Sequence, residues 1–363
     1  MRSRSKQKDI IFRVIALIIG IVLSYAMLET AARVILWKQG EYIDTLRAAG
    51  SQHPQMELTL FDIVRPAADP RRVYELVPDL NGRFAKKPLR TNDQGFRDDD
   101  FETSKPKRVT RIAILGDSVA FGWGVEEKER FGSLLPKLMA ENSGTSAGTG
   151  RKIQVYNFAV PGYNTAMELA TWKDVASHYK PDILVLSLVG NDTDLPNFVR
   201  IKPKLWSLRK SFILQAIRDQ FRGRKIGDTA RVVIGGLVPS SPDTPKDEIP
   251  AEYRDLQGKA AMKSALAQLL KECRLNHIRP MCVVQCRIDK PTAEAMAVNQ
   301  DPDLAKIAGE TGWPVCDPTQ EIVKELDRQK IPANALWVTK NDMHPNAKAH
   351  EIIAKKLAES LNR

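Results

Sequence analysis

Arg111-Ile-Ala-Ile-Leu-Gly-Asp-Ser-Val-Ala-Phe-Gly-Trp-Gly-Val125 decides the fold. Ile112, Ala113, Ile114 and Leu115 form a short apolar run behind a basic, polar lead-in, the pattern of a buried strand. The run breaks at Gly116, presents Asp117 and Ser118, and reaches an amphipathic segment only after Gly122 and Gly124. A hydroxyl just past the C-terminal end of a parallel strand, at the edge of a helix, lies where open α/β sheets place their ligands. Ser118 therefore reads as a nucleophile. That reading requires the rest of the chain to supply a base, a group that orients the base, and donors for an oxyanion.

Working outward, strands and helices alternate. A helix is expected at about 127–141, a Ser/Gly/Thr loop at 143–150, a strand at 153–158, a helix from Thr165 to about Tyr179, and a strand at 182–188. After an interruption at 192–250, a helix follows from about Ala251 to Leu275 and a strand from Arg279 to Cys286. Residues 292–311 read as helical, 313–316 as a short strand, 318–329 as a helix, and Asn346 opens a last helix to Leu361. This alternation predicts a parallel sheet with right-handed crossovers. The interruption holds a basic amphipathic patch, Leu205 to Arg218, and a Pro/Ser/Asp loop at 238–250. The patch suits a membrane surface, a cap over a cleft, or an ordinary packed helix, the last being the more common outcome.

Residues 1–35 read as a short cytoplasmic tail and a transmembrane anchor. Arg2, Arg4, Lys6 and Lys8 precede an apolar run from Ile10 to Leu28, broken only by Arg13 and Ser24. At ~1.5 Å per residue this run reaches about 28 Å, close to a bilayer core. The charged flank predicts the N-terminus inside and the body of the protein outside the cytoplasm. Ser24-Tyr25-Ala26 resembles a signal-peptidase site, but helix-compatible sequence continues to Trp37, which favours an uncleaved anchor. Residues 36–107, polar and Pro-rich, read as an extended spacer that packs on the main domain, with short extended pieces at Tyr74–Asp79 and Asn92–Asp98. The domain with the chemistry is expected at 108–363, carrying the 192–250 insert.

The bulk numbers narrow the classes. Of 363 residues, 43% are hydrophobic and 27% charged, enough for a full core. The net charge of +11 comes from 55 Lys and Arg against 44 Asp and Glu. No zinc finger, RNA-binding aromatic signature or long basic block in the body points to nucleic acid, and the basic cluster before the apolar run favours a membrane. Cys273, Cys282, Cys286 and Cys316 form no C-x-x-C pair, so a zinc site is not expected. Reduced core thiols are the plainer reading; a Cys273–Cys316 disulfide is the alternative.

Four motifs fall at predicted strand ends or loops: Gly116-Asp117-Ser118, Gly162 in Val160-Pro-Gly-Tyr-Asn164, Gly190-Asn191-Asp192, and Asn341-Asp342-Met343-His344-Pro345-Asn346. His344 can take the proton of Ser118, and Asp342 can hold the tautomer of His344. The backbone N–H groups of Ser118 and Gly162 and the side-chain amide of Asn191 can form an oxyanion hole. A side chain at Gly162 would obstruct a substrate carbonyl approaching the backbone. Asp117, Asp192 and His350 read as structural, and Asn346 as a helix N-cap.

Together these blocks resemble the SGNH (GDSL-type) hydrolase superfamily, whose four hallmark residues match Ser118, Gly162, Asn191 and His344 in order. The resemblance covers roughly residues 108–362. It implies a flavodoxin-like three-layer α/β/α fold and an esterase, lipase or acyl-transfer reaction without metal or cofactor. The anchor, followed by Asn92-Asp-Gln-Gly-Phe-Arg-Asp98, is similar to membrane-anchored bacterial members. One departure stands out: the family's last block places an aspartate three before the histidine, where this chain has Asn341, so Asp342 is the expected orienter and Asn341 the fallback. The expected function is a serine esterase acting on an acyl ester, acetyl among the candidates, of a lipid, glycan or other envelope substrate. O-acyl transfer to a polysaccharide and a non-catalytic tethered binding protein are the alternatives. A nucleotide-binding protein lacks the Gly-rich phosphate loop it would need. The sequence does not specify an oligomeric state.

Overall fold

The central strand β1 (Val109–Leu115) is buried along its last five residues and pairs in parallel with β2 (Lys152–Asn157) on one side and β3 (Ile183–Leu188) on the other. The structure, a computed structural model, describes residues 2–50, 55, 57–142, 152–201, 211–221, 236–240, 251–285 and 302–363. β4 (Arg279–Val284) adds to β3, and β5 (Val315–Cys316) to β4, both in parallel. The sheet order is therefore β2-β1-β3-β4-β5. This is the doubly wound order in which the chain reverses direction between β1 and β3, and the C-terminal ends of those two strands flank the topological switch point. The apolar runs read from the sequence become strands because every residue of β3 is buried, as a sheet covered on both faces requires.

Helices follow the winding. α2 (Phe131–Asn142), after β1, packs against the last helix, α8 (Ala347–Asn362). α3 (Thr165–Asp174), after β2, packs against α5 (Gly258–Leu275). α6 (Pro302–Glu310) and α7 (Thr319–Gln329) flank β5 in sequence. The continuous helix expected from Ala251 is instead a short turn, Ala251–Arg254, and then α5, broken at Gly258 with φ +87°. Asn346 is the N-cap of α8, its Oδ1 accepting the N–H groups of Lys348 and Ala349.

The chain divides into two compact units, Met1–Ala48 with Arg200–Val238, and Ala49–Val199 with Pro239–Arg363. In the first unit, α1 (Arg2–Gly50) is one long helix, and its Asp9–Ile35 part is long and apolar enough to cross a membrane. The extended spacer expected from residue 36 is thus helical as far as Gly50, the helix-compatible sequence after Leu28 simply continuing. The insert contributes a helix, α4 (Phe212–Phe221), to this unit.

In the second unit, residues 57–107 form short strands and turns laid on the sheet domain. Val64–Pro66 pairs with Tyr74–Leu76, and Asn81–Phe84 with Lys87–Arg90. The Tyr74 hydroxyl donates to the Pro161 carbonyl at 2.9 Å, and the Arg72 guanidinium meets Asp174 at 2.9 Å. Cys273, Cys282 and Cys316 are free and buried, which corrects the disulfide alternative; Cys286 lies outside the described residues. Burial pushes the Cys273 thiol up to about 12 and the Cys316 thiol up to about 11. These are inert core groups. The 143–150 loop, the 241–250 part of the Pro/Ser/Asp loop and the first half of the 292–311 helix also fall outside the described residues.

Candidate active site

Ser118 opens a single helical turn, Ser118–Phe121, three residues beyond the end of β1 at Leu115. Asp117 caps that turn: its Oδ1 accepts the Val119 N–H at 2.9 Å, and its Oδ2 lies 3.0 Å from Ser118 Oγ, so it competes with His344 Nε2 for the single hydroxyl proton. Gly122 ends the turn in the left-handed region at φ 84°, its N–H directed to the carbonyls of Ser118 and Val119. Gly116 cannot carry a side chain, because a Cβ there would stand 2.6 Å from that of Ala120 and 2.9 Å from that of Ser187. The glycine lets the turn after β1 close tightly against Ala120 and against Ser187 of β3.

His344 does not sit in an open loop, as the sequence suggested, but on a strand, Asp342–Pro345, paired antiparallel with Trp337–Thr339. Its Nε2 is 2.9 Å from Ser118 Oγ, and its Nδ1 is 2.6 Å from Asp342 Oδ1. Asp342 Oδ1 also accepts the His344 backbone N–H at 3.2 Å. With Nδ1–H donated to the carboxylate, the Nε2 lone pair faces the serine, which is the tautomer a general base needs. Burial works against the charge on Asp342. The hydrogen bonds from the ring and backbone of His344 outweigh it and hold the carboxyl below its usual range. Asn341 is exposed in the hairpin turn, its backbone N–H donating to Thr339 Oγ1.

Trp123 was not singled out in the sequence, yet it touches both members of this pair. Its indole N–H donates to Asp342 Oδ2 at 2.9 Å, and its ring stacks on the imidazole of His344 with centroids 4.8 Å apart and planes 12° apart. The edge of Phe84, from the N-terminal strands, meets Trp123 at 4.6 Å. Gly124, at φ 72°, explains the approach, since a Cβ there would lie 2.4 Å from the Val338 side chain on the hairpin. The tryptophan between two glycines was the available signal. Arg97 is a second omission. From within Asn92–Asp98, its buried guanidinium donates to the carbonyls of Gly122 at 2.7 Å and Val125 at 2.8 Å. Burial, with Arg130 nearby, brings Arg97 down to about 10. The segment expected to be a spacer thus braces the loop after Ser118.

The other two blocks approach from neighbouring backbone. The Phe158 N–H donates to the Ile114 carbonyl and the Val160 N–H to the Gly116 carbonyl, so the chain leading to Gly162 runs beside the end of β1. Gly162 is a glycine for a reason the sequence did not show. Its φ is +79°, and a Cβ would lie 2.2 Å from Asn197 Nδ2. The obstruction is within the protein, not only toward a substrate. Asn191 follows β3, whose Leu186 pairs with Leu115, so it leaves the sheet beside the Ser118 turn. Asn191 is half-buried, and its Oδ1 is buried without a partner among the described residues.

The residues read as structural are tied into the scaffold. Asp192 accepts from Thr165 Oγ1 and from the Val189 N–H, both at 2.6 Å, and burial is the main cause that brings it up to about 7. His350 is fully buried, its Nδ1 accepting the Phe131 N–H at 3.3 Å; burial first, then Arg97 and Arg130, brings it down to about 3. His178 and His277 are exposed, and His53 lies outside the described residues.

A five-stranded parallel sheet in this order, with a serine, an imidazole and a carboxylate in series at the switch point, defines the SGNH class of α/β protein. The chain belongs to the GDSL-like lipase/acylhydrolase family, whose model matches residues 114–352, and it is a hydrolase of ester bonds. Three solved structures illustrate the likeness. A two-domain esterase active on acetylated mannans is 11% identical with a TM-score of 0.40; the match covers 70% of this chain and 49% of that one, so this chain spans about half its length. A psychrotrophic esterase from Pseudoalteromonas sp. is 14% identical over 69% of this chain and 96% of its own, with a TM-score of 0.37. An acetyl-xylooligosaccharide esterase variant from Geobacillus is 14% identical over 70% and 96%, with a TM-score of 0.43. The curated protein sequences include no match.

Proposed function

We propose that the protein is a membrane-tethered serine esterase that hydrolyses an acyl ester of a lipid, glycan or other envelope substrate outside the cytoplasm. The observation that carries this reading is the continuous series Ser118 Oγ, His344 Nε2, His344 Nδ1 and Asp342 Oδ1, with links of 2.9 and 2.6 Å. Ser118 attacks the acyl carbon as its proton passes to His344 Nε2. Asp342 keeps the tautomer and stabilises the imidazolium. The backbone N–H groups of Ser118 and Gly162 and the Asn191 amide receive the oxyanion, each such donor being worth ~2.7–4 kcal/mol in comparable sites. His344 then returns the proton to the leaving alkoxide, water enters by the reverse route, and the acid departs. The apolar Asp9–Ile35 span and its basic N-terminal flank support the tether and the orientation.

The test is labelling with a fluorophosphonate probe, combined with a panel of acetyl, butyryl and longer esters and acetylated glycans. Wild-type protein is expected to label, Ser118→Ala to stay blank and His344→Ala to label at a small fraction of the rate. A folded wild-type protein that does not label refutes the assignment.

A further inference from the structure

Glu29 lies near the end of the apolar span, where a lone carboxylate would be costly in lipid. It is nevertheless only 9% exposed, and Arg33, one turn on, is 8% exposed, while the span's apolar side chains face outward. What covers Glu29 is the start of α4. Its Oε1 accepts the Phe212 N–H at 2.7 Å, and its Oε2 accepts the Ile213 N–H at 3.2 Å and the Ser211 hydroxyl at 3.0 Å. Arg33 donates to the same carboxylate from Nε at 3.1 Å and Nη2 at 2.9 Å, and its guanidinium lies 4.4 Å over the Phe212 ring. Ser211 Oγ caps α4 by accepting the Leu214 N–H at 3.2 Å, and the carboxylate supplied from another helix satisfies the otherwise orphaned Phe212 and Ile213 N–H groups at the positive end of the helix dipole.

We propose that α4 lies along the lipid surface as an interfacial helix, hooked to the membrane anchor through Glu29. Three observations select lipid as the occupant of its outer face. First, Leu214, Ile217 and Phe221 are 60%, 47% and 89% exposed, and their spacing of three and four puts them on one stripe. Second, that stripe belongs to the same unit as the exposed apolar surface of the anchor's last turns, Met27, Leu28, Val34 and Ile35. Glu29 lies twenty residues after Asp9, roughly 30 Å along a helix, which puts the hook at the far interface of a bilayer core. Third, the sequence from Lys202 to Lys225 carries eight basic residues and one acidic, the charge that anionic headgroups attract. The basic residues flank an apolar stripe, as in helices that rest at the headgroup–acyl boundary. The inference rests on the membrane part of the functional reading and is independent of the esterase chemistry.

The experiment uses the full chain reconstituted into phosphatidylcholine–phosphatidylglycerol vesicles. Leu214→Cys, Ile217→Cys, Phe221→Cys and a mid-span Val22→Cys are each labelled with an environment-sensitive fluorophore, and labelled wild type gives the background. Nitroxide quenchers placed high or low on the acyl chains report depth. The expected result is that labels at 214, 217 and 221 lose most of their emission to the shallow quencher and little to the deep one, with the reverse at 22. Adding Glu29→Ala is expected to abolish the shallow quenching at 214 and 217 while leaving the signal at 22. Unquenched labels at 214, 217 and 221 beside a quenched label at 22 overturn the proposal alone. No quenching at 22 overturns the anchor as well. Quenching at 214 and 217 that survives Glu29→Ala overturns the hook.

Discussion

Replacing Asp342 distinguishes this site from one that follows the usual spacing of its family. Asp342 accepts three hydrogen bonds: from the His344 ring, the His344 backbone and Trp123. Asp342→Ala removes all three and leaves the imidazole without the group that sets its tautomer. In comparable triads that loss costs ~10⁴-fold in kcat, roughly 5.4 kcal/mol of transition-state stabilisation at about 1.36 kcal/mol per decade. Asn341→Ala, in the exposed turn, is expected to stay within about tenfold of wild type. Asp342→Asn is the more informative change. With its oxygen in the Oδ1 position, the amide still accepts from Nδ1 and the backbone N–H of His344, but its NH₂ then faces the Trp123 N–H, a donor conflict worth about 1–3 kcal/mol. The flipped amide satisfies Trp123, yet sets two donors against each other at the His344 backbone and drives the ring proton toward Ser118. Trp123→Phe removes the first conflict while keeping a ring to stack on His344. The double variant should therefore hydrolyse esters faster than Asp342→Asn alone, although Trp123→Phe by itself should slow the wild-type reaction. The assay is kcat/KM on a chromogenic short-chain ester, with fluorophosphonate labelling rate as an independent reading of nucleophile activation. An Asp342→Ala enzyme within tenfold of wild type, or an Asn341→Ala enzyme that loses more than Asp342→Ala, refutes the reasoning.

Other outcomes follow from the packing around the site. Gly162→Ala should lower kcat/KM and thermal stability together, since it sets a Cβ 2.2 Å from Asn197 Nδ2 at a φ of +79°; Asn197→Gly should recover only part of the loss, because the strained φ remains. His350, brought down to about 3 in the fold, stays neutral while the unfolded chain takes up a proton below a pH of roughly 6.5. Stability should therefore fall as pH drops through that window, with a slope approaching ~1.4 kcal/mol per pH unit from this group. Denaturant titrations of His350→Gln should show that part of the slope gone, and an unchanged slope would contradict its burial as the neutral form. Glu168 is fully buried with both carboxylate oxygens unpartnered among the described residues, and burial raises it well above the usual carboxylate range. Its folded pKa exceeds its unfolded one, so the stability it contributes is present at acid pH and is lost as pH rises above about 4.3. Glu168→Gln should flatten that decline in chemical denaturation, and a parallel shift with the slope intact would count against it.

The sequence alone determined the sheet and most of the helices. Ile112–Leu115 is a uniform apolar run and Ile183–Leu188 is apolar but for Ser187, with helical segments between them, a pattern that a sheet covered on both faces accommodates. It also determined the four blocks, because each chemical group stands just after an element whose type was legible. Local periodicity could not give the pairing between distant segments. That Asp342–Pro345 is a strand depends on Trp337–Thr339 being folded back against it, and only that hairpin aims Asp342 and not Asn341 at the imidazole. Trp123 and Phe84 are 39 residues apart in sequence, and Trp123 and His344 lie 221 apart; their stacking exists only once the N-terminal strands and the hairpin close on the same loop. Gly162 looked like an opening for a substrate and proved to be room for Asn197 as well. Residues 57–107 fall within the 36–107 stretch that reads as a spacer because their strands are too short to leave a period, yet they carry Arg97, which holds the carbonyls of Gly122 and Val125 after Ser118. The chemistry of the groups is local and was written in the chain, whereas their alignment is a matter of long-range contacts and was decided by the tertiary structure.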